Sequence, residues 1–151
     1  FFTPLRQQYD TVVLLANSIG AFFSMSSLSE KFIDRALFIS PIVNMETLIS
    51  DMMGWAGVTE NVLHAQGEVA TDFGETLSWE YLCYVRAHPL VWDVPTCILY
   101  GEKDNLTSYE TLAAFAQKVH ASITVMPSGE HWFHTEGQMS FLDEWVKGQC
   151  S

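Results

Sequence analysis

The chain has 151 residues, 48% of them apolar, which is enough for one domain with a buried core and excludes a disordered chain. Its formal net charge of −11 argues against nucleic acid or an anionic membrane as a partner, because either would repel it. No run approaches the ~18 apolar residues of a membrane span, and residues 1–6 lack the layout of a signal peptide. These features favour a small neutral or cationic substrate.

Cys83, Cys97 and Cys150 are odd in number and form no CxxC pair. Cys83 and Cys97 also stand among apolar residues, which is typical of reduced thiols packed in a core. We therefore expect a reducing compartment and a cytoplasmic location.

The first part of the chain predicts a strand, a helix and a second strand. Residues 11–16 are a continuous aliphatic run, which is typical of a strand buried on both faces of a parallel sheet. A helix is predicted from about Ile19 to Leu28. Residues 35–39 predict the second strand, which ends at Ser40 and Pro41.

Residues 44–93 contain no buried-strand run and carry eight Asp or Glu residues against the single Arg86. We interpret this segment as a helical lid that interrupts a core made of residues 1–43 and 94–151. The lid is also rich in Met and in aromatic residues that are candidates for an acyl pocket.

The remainder of the chain alternates again between strands and helices. Strands are predicted at residues 96–100 and 122–126, with a helix at 108–119 between them. The chain closes with apolar residues spaced for one face of a helix. The sequence therefore predicts an α/β fold in which a parallel sheet of about four strands carries helices on both faces.

Ser18 is the candidate nucleophile. It lies in residues 16–20 (Ala-Asn-Ser-Ile-Gly), a G-x-S-x-G motif with Ala in the first place, between a predicted strand and a predicted helix. Such a turn holds a serine hydroxyl out in the open, where a base can take its proton. We expect Gly20 to be required because a side chain there would crowd the backbone.

Asp104 and His131 follow the third and fourth predicted strands. The carboxyl ends of parallel strands meet at one end of a sheet, so both side chains are expected near Ser18. The order Ser, Asp, His also differs from the orders found in the chymotrypsin and subtilisin groups. His134 is the alternative base, and Glu102 and Asp93 are the alternative acids.

Other serines and histidines are expected to cap helices or to pack, since none of them follows a strand end. These residues are Ser24, Ser26, Ser27, His64, His88 and His120. His131 and His134 lack the further Cys or Asp ligands that would complete a metal site, so no metal is predicted.

These motifs resemble the α/β-hydrolase superfamily, especially its small esterase, lipase and serine-aminopeptidase-like members with a helical cap. The resemblance covers nearly all of the chain. It implies that Ser18 attacks an acyl carbonyl, that His131 moves the proton and that Asp104 orients the imidazole. It also implies an oxyanion donor at the backbone N–H of Ile19 and no cofactor. Trp55, Trp79 and Trp132 are the predicted substrate-binding residues.

Two departures from the family pattern matter. Ala16 replaces the commoner glycine, and this change is minor. The family also has strands before the nucleophile strand and a second oxyanion donor on a loop that often reads His-Gly, which this sequence lacks. The resemblance thus implies the C-terminal half of the fold, and we expect the chain to be a poor catalyst.

We also expect residues 11–16 to form an exposed edge strand that pairs two copies as a homodimer.

The first functional hypothesis is hydrolysis of an ester or related acyl bond, and peptidase, thioesterase and lipase activities stay open. The alternative is a hydrolase-fold binding or regulatory module without catalysis, or an inactive fragment of the enzyme. Serine at position 18 excludes dehalogenase and epoxide hydrolase chemistry, because both use a carboxylate nucleophile.

Overall fold

The computed structural model describes residues 2–28 and 33–149. The chain divides into two compact units, one holding both ends of the described chain, up to Val43 and from Val91, and the other spanning Asn44–Leu90. In chain order the elements are α1 (Phe2–Gln8), β1 (Val13–Asn17), α2 (Ser18–Leu28), β2 (Arg35–Ile39), α3 (Met45–Ala56), α4 (Glu60–Gln66), β3 (Glu68–Ala70), β4 (Thr76–Ser78), α5 (Trp79–Ala87), β5 (Thr96–Gly101), α6 (Tyr109–Val119), β6 (Ser122–Met126) and α7 (Glu136–Gln149).

The first unit is built on a parallel sheet with the strand order β1-β2-β5-β6. Leu37 and Phe38 on β2, and Ile98 and Leu99 on β5, are at most 1% exposed, so the two central strands form the core. This arrangement confirms the predicted α/β class with four parallel strands. Because all four strands run in one direction, their C-terminal ends meet at one end of the sheet.

β1 is the edge of this sheet among the described residues. Val13 and Leu15 are 42% and 54% exposed, although both are aliphatic. The expectation that this strand is buried on both faces is therefore wrong for the chain. The reason is positional, since β1 pairs with β2 on one side and with no described strand on the other.

The second unit contains α3, α4 and α5 together with a short antiparallel hairpin, β3 and β4. The hairpin was not predicted, because strands of three residues are too short to give a periodic signal. Its turn is closed by the Thr71 N–H, which donates to the Glu75 carbonyl at 2.9 Å. Arg86 on α5 bonds to Glu46 on α3 and to Glu60 on α4, so the segment's single arginine joins its three helices.

The thiols differ from the sequence expectation. Cys83 is exposed on α5, so it is not the core thiol that was predicted. Cys97 is partly buried on β5 and packs against the cluster of Leu37, Leu99 and Trp145. Cys150 lies outside the described residues. In the described part of the chain, no helix has the length and apolar character to cross a membrane.

The exposed edge of β1 leads to a prediction about association. We predict that two copies pair through β1, because unpaired backbone groups and exposed aliphatic side chains both gain from a partner strand. The Leu15→Lys variant should shift the mass measured by light scattering toward the monomer. Val91→Lys is the control, since Val91 is 73% exposed and lies outside the sheet. A parent chain that stays monomeric at every concentration would contradict the prediction.

Candidate active site

Ser18 is held at the sharp turn between β1 and α2. Its φ angle is 46°, in the left-handed region that non-glycine residues rarely adopt. The backbone is fixed there because the Ser18 carbonyl accepts a hydrogen bond of 3.0 Å from the Ile42 N–H, just beyond β2. This support lets the chain keep a strained residue that presents its hydroxyl at the C-terminal end of the sheet.

His131 lies on the loop after β6 and is 7% exposed. Its Nε2 is 2.8 Å from Ser18 Oγ. The loop is anchored to the end of β5 by two bonds: the Ser128 N–H donates to Glu102 Oε2 at 2.7 Å, and the Lys103 N–H donates to the Gly129 carbonyl at 2.7 Å. The residues that precede His131 in the loop are therefore held against the end of β5, and this fixes the position from which the imidazole reaches Ser18.

Asp104 completes a continuous chain of hydrogen bonds. Its Oδ2 is 2.8 Å from His131 Nδ1, and its side chain is fully buried. The other oxygen, Oδ1, accepts from the backbone N–H groups of Leu106 at 2.9 Å and Thr107 at 3.1 Å. Both oxygens of the buried carboxylate are thus satisfied, as a buried acid requires. A carboxylate on Nδ1 holds the neutral imidazole in the tautomer whose Nε2 can accept a proton from Ser18.

The alternative acids and base lie in other arrangements. Glu102 is bonded to the Ser128 backbone, and Asp93 is exposed. The His134 side chain is 60% exposed, and its Nδ1 donates to the Trp132 carbonyl at 2.8 Å. Among the described residues, no three His, Cys, Asp or Glu side chains are grouped so as to hold a metal ion.

The remaining histidines and one serine have structural partners. His120 ends α6 in a left-handed conformation, with φ at 56°. His88 ends α5, and the His64 ring lies 4.7 Å from that of Trp79. Ser26 donates to the Phe22 carbonyl one helical turn earlier.

A cavity of about 720 Å³ opens beside Ser18. Trp132 lines it and is 74% exposed, so its ring is free to meet a ligand. Most of the other lining side chains are apolar, and five of them lie outside the predicted site and its serine motif: Leu15, Ile39, Phe133, Met139 and Leu142. The predicted apolar face of the last helix contained Met139 and Leu142, but periodicity does not tell a core face from a cavity wall.

Trp55 and Trp79 belong to the second unit. Trp55 packs edge to face on Phe73, with 6.1 Å between ring centroids, and Trp79 contacts the His64 ring. Of the three predicted substrate-binding residues, Trp132 lines the cavity together with Ser18 and His131.

The steric crowding expected at Gly20 is found at another glycine, Gly101. A Cβ added at Gly20 meets only Asn17 Oδ1, at the ordinary distance of 3.9 Å, so the expected crowding is absent. A Cβ at Gly101 would lie 2.6 Å from the backbone oxygens of Gly129 and Glu130. The crowded glycine therefore ends β5 and faces the loop that carries His131.

The first peptide groups of α2 face the same cavity, and Ile19 lines it. Its N–H belongs to the first turn of a helix, where backbone donors have no intrahelical acceptor. Such a donor is suited to an oxygen that gains negative charge near Ser18.

Comparison with solved structures identifies this architecture. The esterase domain of a Rhodothermus marinus protein superposes with a TM-score of 0.67 at 15% identity, covering 98% of this chain and 64% of that one. Est1E from Butyrivibrio proteoclasticus gives 0.65 at 16% identity, covering 96% and 66%. An alpha-beta serine hydrolase homologue from Coxiella burnetii gives 0.59 at 17% identity, covering 99% and 56%.

These similarities first define the chain as an α/β protein on a parallel sheet. Its particular fold is the α/β-hydrolase fold, as the sequence resemblance implied. The chain spans less than two thirds of the length of each of these neighbours. No family model matches the sequence, and no curated protein matches it.

The close approach at Gly101 gives a stability prediction. Gly101→Ala should lower the free energy of unfolding by about 1–3 kcal/mol, because the new methyl group meets rigid backbone rather than a flexible side chain. Gly137→Ala is the matched control in the same unit, since nothing lies within 4 Å of its added Cβ. Urea unfolding measures both variants. Equal stability of Gly101→Ala and the parent would show that residues 129–130 shift at no cost.

Proposed function

We propose that the protein is a serine hydrolase that cleaves an ester or a related acyl bond. The observation that supports this most is the hydrogen-bonded series from Ser18 Oγ to His131 Nε2 and from His131 Nδ1 to Asp104 Oδ2, at 2.8 Å each. The three residues follow three different strands, and a nucleophile, a base and an orienting acid hydrogen-bonded in series perform acyl transfer in unrelated folds.

In the proposed mechanism, Ser18 Oγ attacks the acyl carbonyl carbon while His131 Nε2 accepts the hydroxyl proton. The carbonyl π electrons move to oxygen, and the Ile19 N–H stabilises the resulting oxyanion. The oxyanion collapses, the bond to the leaving group breaks, and His131 returns the proton to the leaving group. Water then repeats the sequence on the acyl-enzyme, so that an acid and free Ser18 are released.

The acyl group is proposed to be apolar. Leu15, Ile39 and Leu142 line the cavity beside Ser18, and the exposed Trp132 ring adds an aromatic wall. A panel of esters that differ in acyl chain length is therefore the appropriate substrate set. A feruloyl ester belongs in it because Est1E has been solved with ferulic acid bound.

The second unit, Asn44–Leu90, is proposed to act as the lid that selects among acyl chains. Its insertion between β2 and β5 supports this role, because Ile39 at the end of β2 lines the cavity beside Ser18. Trp55→Ala and Trp79→Ala should then change the preference for acyl chain length, and unchanged preferences in both would contradict it.

The cytoplasmic location stays a prediction.

A non-catalytic binding or regulatory module is the second candidate. One oxyanion donor is identified in the described part of the chain, whereas acyl-transfer sites normally provide two. A chain with its triad in place would then bind an acyl ligand and turn it over poorly.

A fluorophosphonate probe separates the two candidates, because the probe reacts covalently with an activated serine without needing turnover. Labelling should occur in the parent chain and disappear in Ser18→Ala. Ser27→Ala is the control, since Ser27 is exposed on the same helix. Absence of Ser18-dependent labelling would favour the binding module.

The acid is tested by Asp104→Asn. An amide has nearly the same shape, but its NH₂ group donates to Nδ1 and favours the tautomer with the proton on Nε2, facing Ser18. The labelling rate should fall by several orders of magnitude, on the scale of ~10⁴ measured for kcat in a serine protease. Asp93→Asn should label at the parent rate. If Asp104→Asn also labelled at the parent rate, the acid role would pass to Glu102, and it would pass to Asp93 only if Asp93→Asn labelled slowly.

A further inference from the structure

Thr107 directs its three polar groups to three separate parts of the first unit. Its N–H donates to Asp104 Oδ1 at 3.1 Å, and its hydroxyl donates to the Pro41 carbonyl at 3.3 Å. Its own carbonyl accepts from the Tyr100 hydroxyl at 2.9 Å. The residue is 7% exposed, so these contacts lie away from bulk water.

The segment that receives the Thr107 hydroxyl also holds the nucleophile. Pro41 is followed by Ile42, whose N–H donates to the Ser18 carbonyl. Before it, Ser40 turns the chain with φ at 42°, and its N–H donates to the Leu99 carbonyl of β5 at 2.8 Å. Residues 40–42 are therefore a fixed, buried bridge between the end of β5 and the turn at Ser18.

The geometry points to Thr107 as a positioning residue that fixes the Asp104 carboxylate relative to Ser18 through Pro41 and Ile42. This inference rests on the proposed function, since position matters only if the three residues react together. Thr107 does not touch the reacting atoms. Its hydroxyl supplies a second connection between the acid and the nucleophile, independent of the one through His131.

The second connection has a chemical purpose. When His131 has taken the serine proton, Ser18 Oγ is bonded to the acyl carbon, and the direct bond between Ser18 and His131 is weakened. The spacing of the acid and nucleophile loops must persist through that step for His131 to deliver its proton to the leaving group. A bond from Thr107 to Pro41 is unaffected by the proton transfer.

Tyr100 restrains the same residue from the opposite side. Burial raises the pKa of the Tyr100 phenol, and the nearby Asp104 and Glu110 carboxylates raise it further. The phenol therefore stays protonated at neutral pH and keeps donating to the Thr107 carbonyl. With both ends of the residue held, the Thr107 N–H remains directed at Asp104.

Thr96 is a second buried threonine, at the start of β5, and its hydroxyl serves as the control for that of Thr107. It is 5% exposed, its hydroxyl donates to the Val94 carbonyl at 2.7 Å, and it accepts from the Trp92 indole at 2.8 Å. Thr96 begins β5, whereas Thr107 follows its end, so the two lie at opposite ends of the sheet. Loss of either hydroxyl leaves a buried carbonyl without its donor.

The test compares Thr107→Val, Thr107→Ser and Thr96→Val in ester turnover and in thermal unfolding. Thr107→Val should lower kcat by roughly tenfold to a hundredfold with KM little changed, because the acid is misplaced while binding is not. Thr107→Ser should restore kcat, since it restores the hydroxyl. Thr96→Val should lower the unfolding temperature at least as much and leave kcat at the parent value.

A readout that does not need turnover separates this inference from the proposed function. The His131 Nδ1 proton, bonded to Asp104, gives a downfield NMR signal that is assigned by its loss in His131→Asn. It should shift or broaden in Thr107→Val and stay in place in Thr96→Val. If the parent chain shows no Ser18-dependent labelling but the signal still moves, the proposed function fails, although Thr107 is shown to fix the Asp104 carboxylate against His131.

Unchanged kcat and an unmoved ring proton in Thr107→Val would overturn the inference while leaving the hydrolase proposal intact. If Thr107→Val does not fold, Tyr100→Phe tests the positioning role of Thr107 instead. It removes the restraint on the Thr107 carbonyl and should move both readouts in the same direction by a smaller amount. If neither readout moves in Tyr100→Phe, Thr107 has no positioning role.

Discussion

The arrangement around Ser18 depends on how closely the loop of His131 approaches the end of β5. Gly101 provides that approach, because the backbone oxygens of residues 129 and 130 occupy the space where any other residue has its Cβ. Asp104 follows three residues later, and its carboxylate meets the His131 ring as a direct result. A shift of one ångström between these two loops would break the hydrogen bond between Asp104 and His131. The geometry of the site therefore depends on the backbone contact at Gly101.

Strain on neighbouring strand ends supports the same geometry. Ser18 and Ser40 directly follow β1 and β2, and both have left-handed backbones. Such residues cost on the order of 1–3 kcal/mol each and persist only where surrounding contacts fix them. Here the bonds from Ile42 to Ser18 and from Ser40 to Leu99 supply that support. The strained backbones at Ser18 and Ser40 thus lower the stability of the folded chain at the end of the sheet where the Ser18 hydroxyl lies.

Strand ends were the part of this molecule most open to prediction. β2 and β6 have the predicted bounds, and the residues after β1, β5 and β6 are the ones that meet at Ser18. The weaker predictions concerned properties that depend on distant neighbours. Crowding was predicted at Gly20 and is found at Gly101, where it comes from a loop some thirty residues away along the chain. Cys83 stands among apolar residues in sequence, but the helix rotates it toward solvent.

In the proposed mechanism, stabilisation of the oxyanion rather than activation of the nucleophile limits the rate. Removing one oxyanion donor from a serine protease costs about 10²–10³ in kcat, whereas the hydrogen bonds that would activate Ser18 in the proposed mechanism are formed within the described residues. The proposed pairing through β1 would add a backbone ladder that ends at Asn17, one residue short of the nucleophile. It would therefore bury the exposed aliphatic side chains without directing a further donor at the carbonyl oxygen. Association and acyl transfer are for this reason separable properties, and covalent labelling of Ser18 reports the second of them even where turnover is slow.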